Sequence, residues 1–199
     1  MRRPYSSMLL GGVMMMMTAI TPSLLQAQAA AAASPRGALE VAFTYNATLA
    51  DAVTGNSFWM QGVGAQIHGQ FLGGLGMVAD IAGAHQSNIN SSGVGLDLVT
   101  ATFGPRYTWT RPHQRYGLYA QALAGTAIGF NGIFPAPRGA NTTSLGLAVK
   151  AGGGLNLTLS PHVVLRAFEA DYLRTQLPNS TTNVQNNITL GAGIALRFH

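Results

Sequence analysis

The sequence predicts an all-β protein, an eight-stranded antiparallel up-and-down transmembrane β-barrel. Three observations predict it. Apolar residues recur with a period of two over long stretches, and a strand sends successive side chains to opposite faces. Charged residues make up only 9% of the 199 residues while 47% are hydrophobic, against roughly 25% charged in an ordinary soluble domain. The alternating stretches are even in number, and their connections are short and long by turns. With 25 glycines and no cysteine, the composition also excludes disulfide frameworks, thiolate metal sites and cysteine nucleophiles. Disorder is excluded as well, since it needs low hydrophobicity and high net charge.

The chain opens with a short basic stretch carrying Arg2 and Arg3, followed by an uncharged apolar run from Met8 to Ile20 and a small-residue Ala27-Gln28-Ala29 site. This is the pattern of a secretory signal peptide, and the apolar run is too short for a spanning helix. The predicted organisation is therefore a signal peptide at 1–29, a flexible leader at 30–37 and a barrel at 38–199. Removing the signal peptide takes two arginines away, so the formal charge of +5 falls by two to +3. Nucleic-acid binders cluster Lys and Arg on one face. Here Lys150 is the single lysine and the arginines are scattered, so no nucleic-acid partner is expected.

Eight strands are expected, at about 38–47, 57–70, 74–84, 95–110, 115–127, 144–159, 162–175 and 186–198. In the first, Leu39, Val41, Phe43 and Tyr45 oppose Glu40, Ala42, Thr44 and Asn46. In the second, Val63, Ala65 and Ile67 oppose Gly62, Gly64, Gln66 and His68. The third and fifth alternate more weakly, with Asp80 and Gln121 on their polar faces. In the fourth, Val99, Ala101, Phe103, Tyr107 and Trp109 oppose Thr100, Thr102, Gly104 and Arg106. The sixth puts Leu145, Leu147 and Val149 opposite Gly146, Ala148 and Lys150. The eighth puts Ile188, Leu190, Ile194, Leu196 and Phe198 opposite Asn187, Thr189, Gly191, Gly193 and Arg197. The seventh breaks parity, because Arg166 stands three residues before Glu169. A β-bulge at Ala167–Phe168 would bring Arg166, Glu169 and Asp171 to one face. Short turns are expected at 71–73, 111–114 and 160–161. Long polar loops are expected at 48–56, 85–94, 128–143 and 176–185.

An apolar face on every strand fits a soluble sandwich or a membrane barrel. The polar faces hold Gly, Ala, Thr and Gln with few charges, whereas a sandwich shows water many Lys and Glu. Strands of about ten residues or more, even in number, suit a barrel crossing about 25 Å of hydrocarbon. Tyr45, Trp59, Tyr107, Trp109, Tyr116, Tyr172 and Phe198 are expected at strand ends, where interfacial girdles place aromatics. A spanning helix at 116–137 is the competing reading. That stretch holds Gln121, Asn131, Pro135 and four glycines, which argues against it.

In this order and spacing, Phe103-Gly-Pro-Arg-Tyr107, Gly152-Gly-Gly-Leu-Asn156, the run from His162 to Tyr172, Gln185-Asn-Asn and the run from Gly191 to Phe198 are similar to a known pattern. The chain resembles the small Gram-negative outer-membrane β-barrel proteins, the porin-like family related to the transmembrane domain of outer membrane protein A. The resemblance spans nearly all of 38–199 and is weakest in the long loops. It implies an outer-membrane location, contact with outer-membrane lipids, and a C-terminal aromatic, Phe198, read by the barrel-assembly machinery. His199 after that aromatic departs from the family pattern. A peptidoglycan-binding domain is not expected after the barrel.

An eight-stranded barrel is just wide enough for side chains to fill it. The charges expected inside are Glu40, Asp80, Glu169 and Asp171 against Arg106, Lys150, Arg166 and Arg197, which should pair because unpaired buried charges are costly. Such a network makes either a plug or a narrow path for ions or small solutes. Enzymes also occur on small barrels, and His85-Gln-Ser87-Asn88 resembles the H-x-S-N stretch of lipid A deacylases, in which His and Ser act with a downstream Glu. A base beside a hydroxyl is what nucleophilic catalysis needs. Here no Glu follows before Glu169, and Asp97 is the nearest acid. His68, His113 and His162 show no metal-ligand spacing, and no cofactor is expected. The role expected is structural or interactive, not enzymatic: membrane integrity, with the long loops as contact sites and Phe130, Ile133 and Phe134 as the apolar contact point.

Overall fold

The structure is a computed structural model that describes residues 39–53, 56–110, 115–137, 139–179 and 182–198. The signal-peptide and leader segments lie outside the described residues, as do the turn at 111–114 with His113 and the terminal His199. Eight strands follow one another: β1 (Leu39–Val53), β2 (Asn56–Leu72), β3 (Leu75–Gln86), β4 (Leu96–Thr110), β5 (Tyr116–Ala136), β6 (Gly139–Thr158), β7 (Val163–Thr175) and β8 (Gln185–Phe198). Each pairs antiparallel with the next, and β1 pairs with β8 from Leu39↔Phe198 to Leu49↔Ile188, closing the ring. Closure leaves no strand edge, so the ladder satisfies the backbone internally. Among the described residues no helix is long and apolar enough to cross a membrane.

Alternation decides what faces where. Outward stand Phe43, Val63, Ile67, Ile81, Phe103, Leu147 and Ile194, all exposed, so the outer wall is an apolar belt. Tyr107 and Trp109 stack edge to face with centroids 4.7 Å apart, and Trp59, Tyr116, Tyr172 and Phe198 are exposed near strand ends. Tyr45 differs from expectation: β1 runs on to Val53, so Tyr45 stands mid-strand, with its hydroxyl donating to Gln61 Oε1 at 2.5 Å.

The β-bulge is present. Arg166 pairs with Gly193 and Glu169 with Gly191, so Ala167 and Phe168 of β7 oppose the single Ala192 of β8. On the other side, Asn156 pairs with Arg166 and Leu155 with Phe168. The extra residue resets parity, and Arg166, Glu169 and Asp171 are all buried inside.

Two expected long loops are largely strand in the described residues. Residues 48–53 continue β1, and 128–136 continue β5 as a hairpin with β6. Polar turn-type residues read as loop, but paired to a neighbour they extend the barrel wall. A bulge interrupts that hairpin between Phe130 and Phe134, with Asn131 at φ 57°, a value Asn tolerates better than most residues. The apolar contact point expected there is split by it. Ile133 is 63% exposed, whereas Phe134 is 3% exposed and packs inside. Longer connections remain at 87–95, with a single 3-10 turn at Ile89–Ser91, and at 176–184.

Candidate functional site: the barrel interior

The interior divides along its axis. The half near the short turns holds the charges. Glu40 on β1 faces its neighbours across the closing seam. Its Oε1 lies 3.2 Å from Arg166 Nη2 on β7, and its Oε2 lies 3.1 Å from Arg197 Nη2 on β8. Arg166 Nη1 also reaches Glu169 Oε2 at 3.0 Å. Higher up, Lys150 Nζ on β6 meets Asp80 Oδ1 on β3 at 2.6 Å.

Direct pairing of all eight charges, as expected from the sequence, is not what the structure shows. Arg106 and Asp171 make no ion pair with each other. Arg106 Nε donates to Gln121 Oε1 at 3.1 Å, and Gln121 Nε2 donates to Asp171 Oδ1 at 3.0 Å. The register explains this. Arg106 on β4 stands opposite Gln121 on β5, Gln121 opposite Gly152 on β6, and Gly152 opposite Asp171 on β7. The amide spans the gap above a glycine that has no side chain to fill it.

Two residues that sequence reasoning did not single out organise the cluster. Gln66 on β2 receives Arg106 Nη2 and Arg166 Nη1 on its Oε1, each at 2.5 Å. Its Nε2 donates to Asp80 Oδ2 at 2.8 Å and Glu169 Oε1 at 2.9 Å. One amide thus joins both signs of charge. Tyr119 on β5 lies under both guanidinium groups, 4.2 Å from Arg106 and 5.0 Å from Arg166 at the ring centroid. Its hydroxyl donates to Glu169 Oε2 at 2.5 Å. Cation–π attraction and the shared carbonyl offset the repulsion between two arginines held so close. Both were legible by parity: Gln66 was placed on the polar face of its strand, and Tyr119 stands two residues before Gln121, on the same face.

The half near the longer connections is mainly apolar, although Thr175, Gln185 and Asn187 are buried there too. Ala50, Phe58, Met60, Leu96, Leu98, Ala127, Phe134, Ala148, Leu173 and Leu177 form one buried cluster. Between the two halves lies a void of about 20 Å³ reached by Thr48, Lys150 and Thr189, about the space one water needs. The described interior therefore holds a charged network beneath a mainly apolar layer, with a void for about one water between them.

His85 and Ser87 sit elsewhere. His85 ends β3 on the outer face opposite Asp97, its Nδ1 lying 2.5 Å from Asp97 Oδ1. Asp97 Oδ2 also accepts from Asn131 Nδ2. Among the described residues no hydrogen bond joins Ser87 to His85; the Ser87 backbone N–H instead meets Gln86 Oε1 at 3.1 Å. His68 is buried at the base of the barrel, and the described residues hold no group of three or more His, Asp and Glu placed to bind a metal.

A closed eight-stranded antiparallel ring, apolar outside and filled inside, defines the class of small transmembrane β-barrels. Comparison with solved structures gives the same fold. Ail, the attachment invasion locus protein of Yersinia pestis, crystallised with the heparin analogue sucrose octasulfate, is similar at a TM-score of 0.55 and 18% identity, over 82% of this chain and 99% of that one. Neisserial surface protein A is similar at 0.53 and 18%, over 82% and 100%. The outer membrane protein OprG of Pseudomonas aeruginosa is similar at 0.51 and 11%, over 82% and 97%. No family model and no curated protein matches the chain.

Proposed function

We propose that this chain is an outer-membrane barrel with a structural and interactive role, its short turns in the periplasm and its longer connections at the cell surface. The observation that carries the reading is the inversion of an ordinary protein: Val63, Leu145 and Ile81 face out, while Arg106, Arg166, Glu169 and Asp171 are buried within. Only an apolar solvent outside makes that arrangement favourable. Outer-membrane lipids are then the belt's partner. Phe198, exposed and paired with Leu39 at the seam, is the aromatic offered to the barrel-assembly machinery, and the connection at 87–95 and the hairpin around Asn131 are the surface contact sites.

The interior favours a plug over a path for ions or small solutes, because the void between its halves holds about one water. The eight interior charges then serve stability. The test has two stages. The outer-membrane fraction is run on SDS gels with and without boiling, since a closed barrel resists SDS when cold. The pure protein is then placed in planar bilayers. A mobility shift with a silent bilayer is the expected result. Soluble periplasmic protein without a shift would overturn the membrane reading, and discrete conductance steps would replace the plug with a channel.

A further inference from the structure

We propose that the outer wall of the barrel holds one acylated sugar, with its chain in a groove across β1 to β4 and its sugar against Gln61 and His85. The proposal rests on the outer-membrane reading above and adds a particular class of lipid to it. The groove measures about 610 Å³ and is lined by Phe43 and Tyr45 of β1, Val63 and Ala65 of β2, Gly83 of β3 and Val99 of β4. Register builds it. Tyr45 stands opposite Val63, Val63 opposite Gly83, and Gly83 opposite Val99, on the face where Tyr45 and Val63 are exposed. Gly83 leaves a gap in that row, and a Cβ added there meets only Val99 Cγ2, at 4.0 Å. The groove is continuous with the lipid-facing belt, so hydrocarbon fills it. A cavity of about 150 Å³ takes up benzene, so this one has room for a long stretch of acyl chain.

The polar end is the next outward row. Gln61 stands opposite His85, and His85 opposite Asp97. These lie two residues along from Val63, Gly83 and Val99, about 7 Å away. Three polar side chains on a lipid-facing wall need polar surroundings, and their height supplies them. At about 3.3 Å per residue and a tilt of about 40°, the stretch from Leu75 to His85 rises about 25 Å, the height of the apolar band. The row therefore stands where headgroups begin. The Tyr45 hydroxyl donates to Gln61 Oε1 at 2.5 Å, and Asp97 Oδ1 lies 2.5 Å from His85 Nδ1. Nε2 of Gln61 and Nε2 of His85, on two exposed side chains, are then the atoms to meet a ligand. The row holds a carboxylate and neither lysine nor arginine, which disfavours a phosphate headgroup. Sugar hydroxyls both donate and accept, so they suit Gln61, His85 and Asp97 together.

The probe is monogalactosyl diacylglycerol, titrated into the barrel in phosphatidylcholine nanodiscs, with phosphatidylglycerol of the same chains as the control. The methyl NMR signals of Ala65, Ile81 and Val99 are followed. Shifts that saturate with the galactolipid, and shifts linear in mole fraction with phosphatidylglycerol, are expected. Gly83→Leu, which fills the groove, should abolish saturation. Gln61→Leu and His85→Ala should each weaken the galactolipid about fivefold. The heat shift of each variant on SDS gels is read on the same sample, so loss of binding is separated from loss of the barrel. Linear shifts with both lipids in a folded barrel would reduce the groove to ordinary lipid contact and overturn the proposal. So would saturation by phosphatidylglycerol, or saturation that persists in Gly83→Leu. A chain that shows no heat shift and does not enter nanodiscs would overturn the membrane reading itself, and the proposal with it.

Discussion

Arg166 reaches across the seam that closes the barrel to Glu40: its Nη2 lies 3.2 Å from the carboxylate Oε1, although 126 residues separate the two in sequence. Glu40 also holds Arg197 of β8, so one carboxylate ties together the first strand and the last two. Breaking a buried pair from one side leaves a charge uncompensated. Glu40→Ala should therefore lose about 3–5 kcal/mol of stability, read from reversible urea unfolding in micelles. Arg166 keeps Glu169, which argues for the lower end of that range. A cost below about 1 kcal/mol, the scale of an exposed pair, would mean the seam does not depend on this carboxylate.

Tyr119→Phe isolates the hydroxyl from the ring. The stacking under Arg106 and Arg166 stays, and only the donor to Glu169 Oε2 goes. The expected loss is about 1–3 kcal/mol. Tyr119→Leu removes both contributions and should cost more, and the difference between the two variants measures the cation–π part.

Gly154 on β6 stands beside that same ring. A Cβ there would lie 2.7 Å from Tyr119 Oη and closer still to the Phe168 carbonyl oxygen at the bulge. Since one of those neighbours is backbone, Gly154→Val should block assembly of a heat-modifiable barrel. Gly69, whose added Cβ meets nothing within 4 Å, gives the matched control: Gly69→Ala should assemble as wild type.

Val63 is 67% exposed near the middle of β2. If hydrocarbon covers it, Val63→Arg costs about 2–4 kcal/mol in lipid. The same variant in a water-facing wall would cost about nothing, within 0.5 kcal/mol. Comparing unfolding in bilayers for wild type and variant decides between the two.

His85 and Asp97 are paired on the outer rim, and His85 is largely exposed. His85→Ala should therefore change stability by less than about 1 kcal/mol. If His85 and Ser87 perform lipid A chemistry, activity of the wild type on lipid A must vanish in both His85→Ala and Ser87→Ala. The structure shows no bond between the two side chains, and the expected result is no activity in any of the three proteins.

The sequence itself determined the strand count, the outward belt and the bulge. Each follows from a local rule: side chains alternate along a strand, so a parity break at Arg166 and Glu169 has to be repaired within a residue or two. In so charge-poor a chain each charge contrasts with its neighbours, so parity assigns it a face. The tertiary structure alone decided how they are joined. That Gln121 bridges Arg106 to Asp171, and that Gln66 gathers two arginines and two carboxylates, depends on the register of strands far apart in sequence, which no single strand encodes. It alone decided the apolar layer too. Around Phe58, Trp59 and Met60, and again at Leu98 and Val99, both faces are apolar, so alternation carries no contrast. Closure of the ring is what brings Phe58, Met60 and Leu98 together with Phe134 in one buried layer.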